Sequence, residues 1–180
     1  GGGRSVVSGG RDGSGDVVFV DAVLAAAEPK LGDFSPQGLS NALLALAKLS
    51  RRHGAVAGDG GSDGGSGSRH GDGFTLFGKS TFVATAVAEA DAKLGAFNAQ
   101  DVANTAWALA SLGHSNARFF RRLLATGARQ LDAFNPQNLA NTLWAMAAAG
   151  HGDPAFEAKL LAAAQPKLRQ FNPQALSNTL

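Results

Sequence analysis

A group of arginines in the middle of the chain has the type and spacing to bind phosphate. The group comprises Arg118, Arg121, Arg122 and Arg129. On a helix that turns about 100° per residue they fall on one face, opposite Phe120 and Leu123. No acidic residue lies between Arg118 and Arg129, and guanidinium groups match phosphate oxygens well. We therefore predict a phosphate-binding face here, with a solvated helix face as the alternative interpretation.

Lysines recur at one position of a repeating pattern. They are Lys30, Lys93 and Lys167, with Gln130 at the same position of the remaining unit. A positive charge there suits the C-terminal end of a helix dipole. These lysines are also candidates for contact with an anionic partner.

Side-chain amides and tryptophans repeat as well. The amides are Asn41, Asn104, Asn141 and Asn178, together with Gln37, Gln100, Gln137 and Gln174. Asn is a mediocre helix former, so its recurrence needs a reason. We favour an amide ladder between neighbouring turns or units, and contact of Asn104 and Asn141 with a nucleotide or peptide is the alternative. Trp107 and Trp144 share a register with Leu44, and because Leu replaces Trp once, we expect packing between units rather than base stacking.

Nothing in the chain predicts catalysis. It has no Cys and four His, no pair of which has the spacing of a zinc site. It also lacks the motifs of serine hydrolases, phosphate-binding loops and zinc proteases. We expect no enzyme activity, no metal or other cofactor, no small-molecule substrate and, without a long apolar run, no membrane partner. The net charge of +2 permits a nucleic-acid partner without requiring one.

The elements that carry these residues belong to an internal repeat. The motif occurs at Phe34–Gln37, Phe97–Gln100, Phe134–Gln137 and Phe171–Gln174, with a spacing of 37 residues between the last three. Asn135 and Pro136 form a helix start, Asn as cap and Pro at the first helical position. Gly150 favours a left-handed helix end. A second helix, expected at about 116–130 in the third unit, precedes each motif.

This pattern predicts an all-α fold: an α-α superhelix, or solenoid, of helical hairpins repeating every 37 residues or so. We expect residues 1–16 to be a disordered Gly-rich segment and residues 17–180 to be the repeat array. The first spacing is longer, 63 residues, and the excess lies in a Gly/Ser/Asp-rich stretch at about 54–73. We interpret that stretch as a disordered loop insertion. Pro29 and Pro166 should shorten the helices in which they stand.

The run FNPQNLANTLWAMAAAGH at 134–151, with its counterpart at 97–114, resembles the octotricopeptide-type repeats of organellar RNA-binding proteins in green algae and protists. Similar units precede RAP domains and occur in FAST-kinase-like proteins. The resemblance implies binding of single-stranded RNA in a chloroplast or mitochondrion, with a role in processing, stability or translation of transcripts. It also implies base reading by the variable third helical position, for which Asp101 and Asn138 are the candidates. A protein-binding solenoid of armadillo or tetratricopeptide type is the alternative.

Overall fold

The computed structural model describes residues 14–56, 76–114 and 116–179. Within these ranges every regular element is a helix and no strand is present, which confirms the predicted all-α class. The α-helices are α1 (Ser14–Ala27), α2 (Pro36–Val56), α3 (Leu76–Ala92), α4 (Ala99–Ser111), α5 (Ala117–Ala128), α6 (Pro136–Ala149), α7 (Pro154–Ala164) and α8 (Pro173–Ser177). None of the described helices is long and apolar enough to cross a membrane.

The repeated motif starts a helix each time, for the reason its residues predict. The side-chain oxygens of Asn98, Asn135 and Asn172 accept hydrogen bonds from the backbone N–H three residues later, at 2.7–2.9 Å. Ser35 does the same in the first unit, at 3.1 Å. Each cap therefore satisfies one of the donors that a helix start leaves open.

The helix ends also follow the sequence. Gly113 and Gly150 adopt φ of 66° and 64°, the left-handed region that L side chains avoid. Where Pro29 and Pro166 occur, α1 and α7 stop two residues before the proline, and 3-10 helices cover Glu28–Asp33 and Gln165–Gln170. The prolines shorten these helices as predicted.

The helices pack in two layers. The even layer consists of α2, α4, α6 and α8, in which α4 contacts both α2 and α6, and α6 contacts α8. The odd layer consists of α1, α3, α5 and α7, each contacting the next. One odd helix and the even helix after it form a unit, so the described residues form four units. The core lies between the layers and includes the fully buried side chains of Leu39, Val102, Phe120, Leu139 and Leu160.

Gly127 on α5 lets the units approach closely. A Cβ placed there would lie 3.0 Å from Val102 Cγ1 and 3.2 Å from Phe134 Cζ. Both distances are tighter than ordinary van der Waals contact, and any larger side chain would push α5 away from α4.

The two segments expected to be disordered lie mostly outside the described residues. α1 begins at Ser14 and α2 extends to Val56, so residues 14–16 and 54–56 of those segments are helical. Ala-rich sequence before the glycines extends α2, because Ala favours helix and a single Gly only weakens it. The helix expected at about 116–130 is α5, with Asn116 as its cap.

Candidate nucleic-acid interface

A pair of indole rings lies on the even layer. Trp107 on α4 and Trp144 on α6 have ring centroids 5.9 Å apart and planes inclined by 35°. Both residues are half-buried and pack against the core. The guanidinium carbon of Arg51, on α2, lies 5.4 Å from the centroid of the Trp107 ring, within cation–π range. The internal repeat explains why the two indoles are neighbours, since equal registers on adjacent parallel helices place side chains next to each other.

These rings line an open groove of about 320 Å³ that crosses α2, α4, α6 and α8. We call it the amide groove. It is lined by Leu44, Lys48, Arg51, Asn104, Trp107, Gln137, Asn141, Trp144, Gln174 and Asn178. Most of its lining consists of carboxamides, indoles and cations, with Leu44 as its one aliphatic residue.

Most carboxamides of the groove have no hydrogen-bond partner among the described residues. Asn104, Gln137 and Asn141 make no side-chain hydrogen bond to any of the described residues. Among the groove amides only Gln174 and Asn178 pair, at 2.9 Å at the end of α8. The amide ladder favoured from the sequence is therefore not formed between the units. Gln137 is exposed, Asn141 is half-buried and Asn104 is 8% exposed. These carboxamides can therefore hydrogen-bond a ligand through both a donor and an acceptor.

Two of the repeated lysines hydrogen-bond to the backbone of a neighbouring unit. The Lys93 ammonium group donates to the carbonyl oxygens of Gly32 and Phe34, at 2.5 and 2.8 Å. Lys167 donates to those of Asp132 and Phe134, at 3.3 and 2.6 Å. We call this arrangement the carbonyl clamp, because each donor hydrogen-bonds to backbone carbonyls of the preceding unit just before the cap of its helix. Because these two ammonium groups already bind backbone carbonyls of the preceding unit, they are poorly placed to bind a phosphate.

Gln130 occupies the same register in unit three and makes the same type of bond. Its side-chain amide donates to the Phe97 carbonyl at 2.8 Å. Lys30, in unit one, is exposed and makes no such contact with the described residues. The exchange of Lys for Gln shows that the clamp needs a long side chain with a donor, not a charge.

The four arginines do not form one uncompensated face. Arg122 forms an ion pair with Asp91 of α3, and Arg129 donates to the Thr126 hydroxyl at 3.2 Å. The expectation of a stripe without counter-charge is corrected, because the counter-charge comes from another helix. Arg118 and Arg121 remain exposed. All four lie on the odd layer, whereas the amide groove is on the even layer.

Asp101 and Asn138 occupy positions unsuited to reading bases. Asp101 is 2% exposed, and its carboxylate accepts a hydrogen bond from the Asn98 N–H at 3.1 Å, completing a capping box. Burial raises the pKa of the Asp101 carboxyl, and the hydrogen bond from Asn98 opposes that shift. Asn138 is 6% exposed at the equivalent position. The third helical position thus lies inside the helix start rather than on the ligand-facing surface.

Lys48 is the groove cation that sequence reasoning missed as a candidate, and Arg51 lies three residues after it. Both are exposed and follow Leu44 by four and seven residues, so they share its helix face. That spacing was the available signal. Among the described residues, no group of His, Asp or Glu side chains could hold a metal ion.

Comparison with known proteins identifies a family but no individual relative. A family model described as the Tbc2 translation factor N-terminal domain matches residues 31–180. Neither a curated protein nor a solved structure matches significantly. The match corrects the octotricopeptide, RAP and FAST-kinase-like identification, which relied on the run at 134–151 and its counterpart at 97–114. The first residues of that run, Asn135 and Pro136, serve to start a helix. Because the match spans most of the chain, the chain belongs to the family of Tbc2 translation factor N-terminal domains.

Proposed function

We propose that this member of the Tbc2 translation factor N-terminal domain family binds single-stranded RNA along its amide groove, as part of translational control. The family description supports a role related to translation. The observation that carries the RNA assignment is the juxtaposition of two neighbouring indoles with unpaired carboxamides. A groove of that composition offers base stacking and base-edge hydrogen bonds together.

The chemistry assigns a task to each kind of side chain. Trp107 and Trp144 stack on bases, an interaction worth roughly 1–3 kcal/mol per base. Asn104, Gln137 and Asn141 hydrogen-bond to base edges, for which a carboxamide supplies one donor and one acceptor. Lys48 and Arg51 bind phosphates.

The RNA must be single-stranded for this to work. In an A-form duplex the base faces are covered by stacking, and the major-groove edges lie too deep for side chains to reach. An extended strand exposes both, and a row of even-layer helices can bind it along its length.

We also propose that the two layers continue the predicted α-α superhelix, each unit adding one helix to each layer. The repeated clamp between units supports this arrangement. The role proposed is binding without catalysis. The chloroplast or mitochondrial location expected from the sequence stays a prediction.

Indole fluorescence offers a direct test, because the chain contains two Trp and no Tyr. Both Trp lie in the groove, so their emission reports on it alone. Titration with unstructured RNA should quench the emission, with an affinity that falls as salt rises. A duplex of the same length should quench it much less.

Two outcomes separate the alternatives. If neither RNA changes the emission or the mobility of the folded chain, RNA binding by the groove is rejected. Quenching by peptides but not by RNA would instead support the protein-binding alternative.

A further inference from the structure

A second cleft, of about 720 Å³, lies on the odd layer between α5 and α7. Leu124, Ala125 and Ala128 of α5 form an apolar wall, and Arg121 and Lys159 bring two cations to the same space. We call it the α5–α7 cleft. It shares no lining residue with the amide groove, so it is a separate candidate site.

The two cations of this cleft have no counter-charge in the described part of the chain. Neither Arg121 nor Lys159 forms an ion pair or a side-chain hydrogen bond there. Asp153 also lines the cleft, but its carboxylate caps α7 and accepts hydrogen bonds from the N–H groups of Ala155 and Phe156, at 3.0 and 3.3 Å. The carboxylate of the cleft is therefore already engaged, whereas its cations are not.

The preceding junction, between α3 and α5, shows which group the cleft lacks. There Arg122 forms an ion pair with Asp91. One period of 37 residues later, the same two registers hold Lys159 and Ala128. The cation of the ion pair is retained in the α5–α7 cleft, and the carboxylate that neutralises it has been replaced by a methyl group.

A second substitution adds to this imbalance. Arg121 has Ala84 as its counterpart in α3. The ion pair of the preceding junction is neutral, whereas the equivalent positions of the α5–α7 cleft, together with Arg121, carry two positive charges. Cations that converge on one cleft without a counter-charge favour the binding of an anionic group.

The accessibility of this surface does not depend on which units follow. At the preceding junction the side chains of Arg122 and Asp91 are 49% and 31% exposed, although unit four is packed against unit three. A following unit therefore leaves these registers open to a partner.

We propose that the α5–α7 cleft binds an acidic segment of a partner protein. One Asp or Glu carboxylate of that segment takes the place that Asp91 has at the preceding junction and binds both Arg121 and Lys159. Its neighbouring apolar side chains pack against Ala125 and Ala128. A carboxylate is favoured over a phosphate because the group at the equivalent position is a carboxylate and because the apolar wall suits side chains. The proposal does not depend on RNA binding in the amide groove.

Fluorescence anisotropy of a short labelled peptide of Glu, Ala and Leu tests the charge requirement. The folded chain should bind this peptide with an affinity that falls as salt rises, and it should bind the same peptide with Gln in place of Glu much more weakly. Arg121→Gln and Lys159→Gln should each weaken binding about fivefold, as the loss of a partly exposed ion pair does. Arg118→Gln, which removes an exposed arginine of α5 outside the cleft, is the matched control and should bind like the parent chain.

Restoring the missing acid tests the position of the bound carboxylate. Ala128→Asp recreates the ion pair of the preceding junction with Lys159, so it should abolish peptide binding. Ala128→Asn, of nearly the same size but uncharged, should keep most of it. Circular dichroism checks that both variants keep their helices, and their affinity for single-stranded RNA should equal that of the parent chain.

Four results would overturn the proposal. They are no binding of the acidic peptide by the folded parent chain, equal binding of the Gln peptide, equal losses in Ala128→Asp and Ala128→Asn, and a lower RNA affinity of Ala128→Asp. The last result would assign the cleft to RNA phosphates instead of a protein carboxylate.

Discussion

The even layer and the odd layer each carry a row of polar side chains that recurs from unit to unit. On the odd layer these groups mostly have partners: Lys93 and Lys167 bind carbonyls, and Arg122 binds Asp91. On the even layer the amides of Asn104 and Asn141 have none among the described residues. Recurrence alone therefore does not separate a structural role from a binding role; the presence of an internal partner does.

The largest expected effect tests the even layer. Replacing both Trp107 and Trp144 with Leu, the residue at this register in unit one, keeps an apolar contact with the core and removes both indoles. Affinity for single-stranded RNA should fall about 30-fold or more, given about 1–3 kcal/mol for each of the two stacked bases. Fluorescence anisotropy of labelled RNA measures this, since the variant has no indole left. A variant with Arg118→Gln and Arg121→Gln should lose much less RNA affinity. A loss larger than that of the double Trp variant would indicate that RNA binds the odd layer instead.

A second, smaller effect concerns stability and the odd layer. Lys93→Met leaves the carbonyls of Gly32 and Phe34 without their donor, so unfolding free energy should fall by about 1–3 kcal/mol. Lys93→Gln should lose less, because Gln130 forms the equivalent bond. Urea denaturation gives both values. RNA affinity of the folded variants should stay unchanged; a drop that exceeds the loss of folded protein would place Lys93 at the interface.

The salt dependence of binding separates the two layers further. Arg51→Gln should reduce the slope of log K against log salt by about one, the effect of removing one phosphate contact. Arg122→Gln should leave the slope unchanged, because Asp91 already neutralises Arg122. Equal slopes for the parent and the Arg51 variant would remove Arg51 from the phosphate path.

The smallest effect is a pH dependence at the end of α4. Burial lowers the pKa of His114 below its usual value, and its Nε2 has no hydrogen-bond partner in the described part of the chain. The unfolded chain therefore takes up a proton more readily, and stability present above pH 6.5 should decline as the pH falls through that value. The raised pKa of Asp101 acts in the opposite direction but at lower pH. Denaturation curves at about pH 7.5 and about pH 5.5 should differ less for His114→Gln than for the parent.

Local features of the fold could be predicted from sequence because their causes lie within a few residues. The caps at Asn98 and Asn135, the glycine end at Gly150 and the proline effect at Pro166 all depend on neighbours in the chain. The roles of the cations could not. The acceptors of Lys93 lie 59 and 61 residues away, and Asp91 lies 31 residues from Arg122. Neighbouring residues in the sequence do not reveal these partners, so Lys93 and Arg122 both look like unpaired charges in the sequence.

For the candidate site, the sequence shows which side chains share a register but not whether they have partners inside the protein. The registers of Trp107, Trp144, Asn104 and Asn141 were visible in the sequence, but their lack of internal partners was not. The sequence favoured a ladder, because amides inside a helix are usually satisfied. Only the positions of α2, α4 and α6 show that these side chains line an open groove together with Arg51.

The carbonyl clamp has a consequence for how such a protein can change over generations. Its acceptor is a main-chain oxygen, which every amino acid supplies, so the residue on the receiving side needs no matching substitution when the donor changes. A gene segment that encodes one unit can then be duplicated, deleted or exchanged, and it arrives with both halves of the junction already encoded. Selection remains free to alter the groove side chains of each copy separately.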